Sequence, residues 1–371
     1  MKVGMLTSCE RLCGVAQYSR DLCASLGALV DLEIVATWHP PEPWNAYLPR
    51  SIERLNRCNV VHIQHEYSFW GSMLPGRNHY FAHMSQISRP KVLTAHTLDL
   101  AKDMLLRDSA RWVPVKVALA SFPPYRDSIE RKTFDLASRI IVHDPHAASR
   151  LETRGIASSK IRVIPMGVPT PNLDPSLGDA FRSEYDLEGR KLIVVFGFTR
   201  SSRGYETVLD AMAELGRDTV LVIAGGPQTA AQSAYFEALL TEIARRGLCK
   251  RVVATGYLSD EKVSGVMQAA DVVLCPQQEG TGSYSVQLAF GYGCPIVASD
   301  LPCFEHLERE FGCLLTFASG DAQDLAHRIN AVLGDETLSR SLSDRALAYA
   351  REHTWDKIAA RTVQVYRELV V

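Results

Sequence analysis

The sequence predicts an α/β protein built as two doubly wound domains. Three observations carry that expectation. Short apolar runs of the buried parallel-strand type, such as LIVVF at 192–196 and DVVLC at 271–275, alternate with amphipathic stretches of helical period. At 371 residues the chain is long enough for two domains. A segment with three prolines, VPTPNLDPSLG at 168–178, is its best linker.

Val3 to Thr7 reads as the first strand, followed by a turn with Gly14. A helix from about Val15 to Leu26 places Val15, Tyr18, Leu22 and Leu26 on one side. Strand, glycine turn and helix open a doubly wound fold. G-x-G-x-x-G is absent, so this is no dinucleotide signature. Asp31 to Ala36 is a second strand, and Trp38 to Pro49, rich in Trp and Pro, reads as a loop. Asn59 to Gln64 is a third strand. His65, Glu66, Tyr67, Phe69 and Trp70 follow its C-terminal end, where α/β folds place their sites. Aromatics with a carboxylate suit a sugar or polyol acceptor there, and suit plain loop packing almost as well.

Lys91 to Thr94 is a fourth strand with His96 just past its end, a place where histidine is more often structural than catalytic. Asp99 to Asp127 looks helical, broken at Pro114 and by Pro123-Pro124. It interleaves Lys102, Arg107, Arg111, Lys116 and Arg126 with apolar residues. That pattern favours a solvated helix face, with peripheral membrane contact as the other reading. Arg139 to His143 is a strand, His146 to Arg154 a helix ended by Gly155, and Ile161 to Pro165 a strand leading into the linker.

In the second half, Leu192 to Phe196 is a buried strand. The loop after it carries Gly197, Arg200, Arg203 and Gly204, and a helix begins near Tyr205 with Val208, Leu209, Met212 and Leu215. Two arginines in a strand-to-helix loop are costly unless they meet an anion or water. Val220 to Ala224 and Val252 to Thr255 are further strands, the latter followed by Tyr257 and a helix from about Asp260 to Ala269. Ala322 to Val332 and Glu336 to His353 are amphipathic helices.

The most informative stretch is Cys275 to Asp300, which reads as strand end, loop, helix, tight turn and strand. The loop from Pro276 to Gly282 holds one carboxylate, Glu279, beside Gly280 and Gly282. Ser283 and Ser285 are competent N-caps, and Gly291 or Gly293 can end the helix. A helix N-terminus offers unpaired N–H groups and a positive dipole end, a natural phosphate ligand, and glycines let a ligand approach the backbone. Glu279 would repel phosphate, so it is better suited to accept hydrogen bonds from sugar hydroxyls. Gln287 sits about one turn further on, within reach of the same ligand. An ordinary strand–loop–helix with a solvated Glu279 fits the spacing equally well.

This stretch resembles the signature of retaining nucleotide-sugar glycosyltransferases of family four, which have the GT-B fold. The family signature is E-G-x-G, a second Glu eight residues after the first, then G-x-P-V-V-A-S. Here stand Glu279, Gly280 and Gly282, then Gly293, Pro295, Ile296, Val297, Ala298 and Ser299. The departure is Gln287, where the family usually has Glu. The resemblance implies that Glu279 contacts the transferred sugar and that Gln287, a neutral group, hydrogen-bonds the nucleotide ribose. FGFTRSSRG is similar to the family variant F-G-x-x-R-x-x-K-G, with Arg203 in the place of Lys. Arg200 and Arg203 would then stabilise the leaving diphosphate. CGVAQYSRDL resembles the family's opening glycine loop, which implies a place for Gly14 across the cleft from the diphosphate. His96 matches V-x-T-x-H-T, implying a histidine that faces the sugar. A Q-H-E-aromatic segment also occurs in a subset of the family, which favours acceptor binding by His65, Glu66, Tyr67 and Trp70. IRVIPMGV is similar to the family's crossing into the second domain, and HTWDKIAARTVQVYREL to the closing helix that returns to the first.

The resemblance therefore implies GT-B architecture, two Rossmann-like domains facing across a cleft. An acceptor domain would comprise 1–170 plus 350–371, and a donor domain 171–349. The expected reaction is transfer of a hexose from a UDP- or GDP-sugar to a hydroxyl acceptor, sugar or lipid-linked, with retention. His96, Glu279, Arg200 and Arg203 would be catalytic. The donor would be bound by Gly14, Gly197, Tyr257, Gly280, Thr281, Gly282, Ser283, Tyr284, Ser285 and Gln287. A nucleotide-sugar epimerase can share the architecture, and Gln287 motivates a non-catalytic sugar-nucleotide binding protein as a second rival.

Composition agrees with a soluble enzyme. Apolar residues make up 46% and charged residues 22%, with a formal net charge of −2, so no polybasic field points to nucleic acid. No apolar run reaches a membrane span, and the N-terminus reads as a strand rather than a signal peptide, so a cytoplasmic protein is expected. The nine cysteines, odd in number and several in apolar strands, fit reduced thiols. Cys9 and Cys13 with His62 and His65 match no zinc spacing. Asp-x-Asp does not occur, so neither a metal bridging the phosphates nor a separate cofactor is expected.

Overall fold

The computed structural model describes residues 1–8, 13–37, 44–70, 79–99, 122–280 and 282–370. The chain forms two compact units, Met1–Gly167 with Trp355–Val371, and Val168–Thr354.

Unit 1 is a six-stranded sheet in the order β2-β1-β3-β4-β5-β6, with every pair parallel. Its strands are β1 (Lys2–Thr7), β2 (Asp31–Ala36), β3 (Val60–His65), β4 (Lys91–Ala95), β5 (Arg139–Val142) and β6 (Ile161–Val163). Strand β2 lies on one side of β1 and β3 on the other. The strand order therefore reverses between β1 and β3, and α/β sheets bind ligands outside strand C-termini at such a point. Helix α1 (Gly14–Leu26) starts there, its N-cap Cys13 accepting at Sγ from the Ala16 N–H at 3.2 Å. Buried Ala16, Tyr18, Ser19, Leu22 and Leu26 form its inner face.

Among the described residues unit 1 also holds α2 (Trp44–Asn56), α3 (His79–Gln86), α4 (Pro123–Asp135) and α5 (Pro145–Thr153). Helix α2 departs from the expected loop, since it takes Pro49 into its interior. The Pro123-Pro124 pair opens α4; proline is tolerated in a first turn because that N–H has no helical partner. Residues 100–121, with Lys102, Arg107, Arg111 and Lys116, lie outside the described residues, as does Cys9.

Two of the fully buried histidines of unit 1 lie on β3. His62 on β3 approaches Tyr366 Oη at 2.6 Å through Nδ1 and Thr94 Oγ1 at 2.7 Å through Nε2. His65, at the end of β3, packs edge-on against Tyr67 at 4.6 Å. Burial pushes each down to about 3 from the ordinary 6.5. The unfolded chain takes up protons on both below about 6.5, whereas the folded chain does so only near 3. Stability is therefore present above 6.5 and is lost as pH falls toward 3. At pH 5 the loss is about 2 kcal/mol per histidine. Few carboxylates titrate between pH 7 and 5, so thermal melts at those two values report the buried histidines, to which His83, His96 and His143, also lowered by burial, add in the same direction. Unit 1 is expected to melt at a clearly lower temperature at pH 5; equal melting temperatures would exclude neutral burial.

Unit 2 repeats the plan. Its parallel sheet runs β12-β11-β10-β7-β8-β9. The strands are β7 (Lys191–Phe196), β8 (Thr219–Ala224), β9 (Val252–Gly256), β10 (Val272–Cys275), β11 (Ile296–Ser299) and β12 (Leu315–Phe317). Its helices are α6 (Ser176–Glu184), α7 (Tyr205–Ala211), α8 (Ala230–Arg245), α9 (Asp260–Ala269), α10 (Tyr284–Gly291), α11 (Pro302–Phe311), α12 (Ala322–Gly334) and α13 (Glu336–Glu352). The chain builds outward through β8 and β9, then returns to the other side of β7 for β10, so the order reverses between β7 and β10. Buried Leu192 and Val194 face one core, and Ile193 and Val195 the other, as a strand covered on both faces requires. The proline-rich segment is shorter than expected, because α6 already begins at Ser176, where the Asp174 carboxylate accepts from the Ser176 N–H at 3.0 Å.

The closing helix α14 (Trp355–Arg367) belongs to unit 1. Trp355 stands edge-on to Tyr18 of α1 at 5.0 Å and lies so close to Gly167 that a Cβ there would come within 2.3 Å of its ring. No helix among the described residues is long and apolar enough to cross a membrane.

Candidate functional site

The reversal between β7 and β10 gathers most of the predicted donor residues of unit 2. Strand β7 ends at Phe196, and Gly197 follows with φ +119, a conformation that strongly favours glycine. A Cβ on Gly197 would lie 2.2 Å from Arg203 Nη2, so the arginine fork lies directly against this backbone. A 3₁₀ turn at Ser201–Arg203 and Gly204 at φ +79 lead into α7. A Cβ on Gly204 would sit 2.0 Å from the Pro276 carbonyl oxygen. The loops after β7 and β10 are thereby locked together, and the Gln278 N–H donates to the Ser202 carbonyl at 3.0 Å.

Arg203 is only 7% exposed, and its Nε has no hydrogen-bond partner among the described residues. No described carboxylate forms an ion pair with it. Its charge also reaches Cys275 at the end of β10, whose thiol burial pushes up to about 11 against the pull of the arginine. Arg200, next to the buried Thr199, is exposed.

On the β10 side, Gln277 is buried beneath the loop; a Cβ on Gly280 would lie 2.9 Å from its Nε2. Gly280 at φ +141 and Gly282 at φ +153 carry the chain over it to Ser283, the N-cap of α10. Glu279 is exposed on this loop. Thr281 lies outside the described residues. The Ser283 side chain makes no capping hydrogen bond to α10, while Ser285 Oγ donates to the Phe196 carbonyl at 3.0 Å and ties the helix start to β7. Tyr284 is half-buried. One turn on, Gln287 is 5% exposed, and its Oε1 has no hydrogen-bond partner among the described residues. Tyr257, after β9, is 54% exposed; its hydroxyl donates to the Pro227 carbonyl at 2.7 Å.

The site thus combines a buried cation, a helix start with no side-chain cap, an orphan amide oxygen and glycine-lined loops. Such a surface suits a phosphate ester carrying hydroxyl groups. Sequence reasoning passed over Gln277, which supports Gly280, and Gly225, at φ +145, where a Cβ would lie 2.1 Å from the Gly197 carbonyl oxygen. The signal for Gly225 was present in the pair Gly225-Gly226 directly after β8.

In unit 1, Gly14 begins α1 at the β1/β3 reversal and is exposed. A Cβ on it would meet no described atom within 4 Å. His96 follows β4 half-buried, with Nε2 2.8 Å from Gln64 Oε1. Burial and the neighbouring His143 hold it well below the ordinary imidazole value, so it is neutral. The expected acceptor cluster needs correction. His65, Tyr67 and Trp70 are fully buried. The 3₁₀ turn Tyr67–Trp70 folds these rings inward, where Trp70 meets Tyr80 at 5.2 Å and His65 meets Tyr80 at 5.0 Å. They pack the core of unit 1, and of the four residues only Glu66 retains an exposed portion.

Comparison with known proteins gives a consistent result. The family model described as glycosyl transferases group 1 matches residues 179–351, and that described as Glycosyltransferase Family 4 matches residues 17–171. The D-inositol 3-phosphate glycosyltransferase of Nocardia farcinica is 27% identical over 285 residues, 75% of this chain and 61% of that protein. The enzyme of the same name from Mycolicibacterium vanbaalenii is 30% identical, covering 73% of this chain and 61% of the relative. The chain therefore spans about three fifths of the length of these relatives. The 2-deoxystreptamine glucosyltransferase of Streptomyces kanamyceticus is 29% identical over 222 residues, 57% of this chain and 55% of the relative. The crystal structure of Anabaena Alr3699/HepE in complex with UDP and glucose matches with a TM-score of 0.78 at 16% identity, covering all of both chains. At that identity the likeness concerns the fold, and the two six-stranded α/β units have GT-B architecture.

Proposed function

We propose, from the premise that this chain belongs to the family 4 and group 1 glycosyl transferases, that it moves a hexose from a nucleoside diphosphate sugar to a hydroxyl acceptor. The observation that carries the proposal is Arg203, a buried guanidinium with no carboxylate partner among the described residues, beside the start of α10. A buried cation left this way is costly unless an anion completes it, and a diphosphate leaving group is such an anion.

The reading assigns each group a task. Arg203, Arg200 and the α10 N-terminus meet the charge that develops on the leaving diphosphate, without a bridging metal. Glu279 accepts hydrogen bonds from the sugar hydroxyls. Gln287 Oε1 accepts from a ribose hydroxyl, Tyr257 lies beside the base, and Gly14 leaves room for the diphosphate. His96 faces the sugar. Transfer proceeds with retention at the anomeric carbon, as the family resemblance implies. The relatives named for D-inositol 3-phosphate and 2-deoxystreptamine support a hydroxyl acceptor, and the UDP and glucose in the Anabaena structure support a UDP-sugar as the first donor to try.

The test is a donor screen. UDP-, GDP- and ADP-sugars are incubated with the protein and hydroxyl acceptors, and both the released nucleoside diphosphate and the glycosylated product are measured. Product from one donor is expected. An epimeric nucleotide sugar formed without acceptor, or tight binding with no turnover, would overturn the transferase reading.

Gln287 offers a sharper check on donor placement. An orphan buried oxygen contributes nothing to folding, so Gln287→Leu is expected to melt at the same temperature or higher. Loss of one ribose hydrogen bond should raise donor KM about fivefold to tenfold. An unchanged KM would place the ribose elsewhere.

A further inference from the structure

Strand β3 reads VVHIQH, and its polar residues His62 and Gln64 fall on one face. Both are fully buried, where each polar atom needs a partner. Gln64 Oε1 lies 2.8 Å from His96 Nε2. Gln64 Nε2 lies 3.5 Å from Met5 Sδ and 3.3 Å from His62 Nε2. His62 Nδ1 in turn lies 2.6 Å from Tyr366 Oη of α14. These groups connect the closing helix to His96 inside unit 1.

We infer that Gln64 is a positioning residue that holds His96 in the tautomer with its proton on Nε2, leaving Nδ1 as a hydrogen-bond acceptor. The functional part of this inference rests on the reading above that His96 faces the donor sugar; the tautomer does not.

The His96 tautomer follows from which way the Gln64 amide points. A thioether sulfur accepts and cannot donate. The amide edge beside Met5 is therefore the NH₂ edge, because a carbonyl oxygen there would oppose a second acceptor. The register of the sheet fixes Met5 in this place, since β1 pairs Met5 with His62. With its nitrogen toward Met5 and His62, Gln64 presents its oxygen to His96. An amide oxygen only accepts, so His96 Nε2 must carry the hydrogen. Burial keeps His96 neutral, so its other nitrogen holds a lone pair. The same logic runs on to α14. His62 Nε2 receives from Gln64 and from Thr94 Oγ1 at 2.7 Å, which puts the His62 proton on Nδ1, toward Tyr366. A neutral histidine locked as His96 is can accept from a sugar hydroxyl through Nδ1 and cannot donate there.

The test is nitrogen NMR of the full chain carrying ¹⁵N-histidine. Long-range proton–nitrogen correlation spectra report which ring nitrogen is protonated, and the signals of His96 are identified by their loss in His96→Gln. Wild type is expected to show a pyrrole-type Nε2 and a pyridine-type Nδ1 at His96. Gln64→Met keeps the size and removes the acceptor, so the His96 nitrogens should shift toward a mixture of tautomers. In the same variant kcat should fall about tenfold, with donor KM within about twofold. A wild-type His96 protonated on Nδ1, or a Gln64→Met spectrum unchanged at His96, would overturn the inference. If Gln64→Met does not fold, the wild-type spectrum decides alone. A protein with the Nε2–H signature that transfers no sugar from any donor keeps the tautomer and removes only the transferase reading.

Discussion

Arg203→Ala is expected to lower sugar transfer by about 10²–10³-fold, the usual effect of removing one preorganised charge donor from a developing anion. The fold should survive. The position of Arg203 is set by backbone rather than by an acidic partner, with Gly204 closing against Pro276 behind it and Gly197 against its guanidinium. Deleting a buried cation that has no carboxylate partner among the described residues relieves the free protein of a desolvation cost, so the melting temperature should hold or rise. Arg203→Lys keeps the charge but loses the planar fork, and should recover only part of the rate. Steady-state kinetics beside a thermal melt checks both halves. A rate within about twofold of wild type would remove Arg203 from the chemistry. A large fall in melting temperature would make it a structural residue instead.

Gly225→Ala is expected to be among the most damaging single methyls in unit 2. Its φ of +145 is one that L side chains rarely adopt, and the new Cβ would stand 2.1 Å from the Gly197 carbonyl oxygen. That oxygen belongs to backbone at the end of β7, beside Arg203, and cannot rotate away. Strain and overlap together should cost about 3 kcal/mol, lowering the melting temperature by roughly 6–12 °C for a unit of this size. Donor binding should weaken with it, because relief requires the Gly197 loop to shift. Gly189→Ala is the control. It has φ +68 and no atom within 4 Å of the new Cβ, so it carries only the backbone term, about 1–2 kcal/mol. If the two variants melt alike, the close approach of the β7 and β8 ends is not a constraint.

The strands were legible because buried parallel strands are short apolar runs between turn residues. Leu192 to Phe196 and Asp271 to Cys275 need no tertiary information to be found. Helix α2 was hidden by Pro49, a residue that normally ends helices, and α6 by the prolines just before Ser176. The two loops that meet at the β7/β10 reversal stand out in the sequence by their chemistry, since glycines, two arginines and serines at strand ends have few purposes together. The acceptor cluster was not readable in the same way. Local sequence places Tyr67 and Trp70 after β3, but whether a ring turns out or in depends on α3, which supplies Tyr80 and His83 from further along the chain. Gln64 differs, because its signal is local. His62 and Gln64 stand at alternate positions of an otherwise apolar strand, a period-2 pattern that the amino-acid order alone carries. What the order does not carry is the partner of each polar group, since Met5, Thr94 and Tyr366 reach them from other elements.

The proposed site places the diphosphate of a nucleotide sugar on Arg203, at the β7/β10 reversal of unit 2. Calorimetric titration of UDP, GDP and ADP, each beside its parent nucleoside, into wild type and Arg203→Ala tests it most directly. At least one nucleoside diphosphate should bind wild type and lose more than about tenfold in affinity in the variant, equivalent to a charge-assisted hydrogen bond of at least about 1.4 kcal/mol. Its nucleoside should bind weakly, and equally to both proteins. A diphosphate that binds the two proteins with the same affinity, or no better than its nucleoside, would exclude Arg203 as the diphosphate's partner.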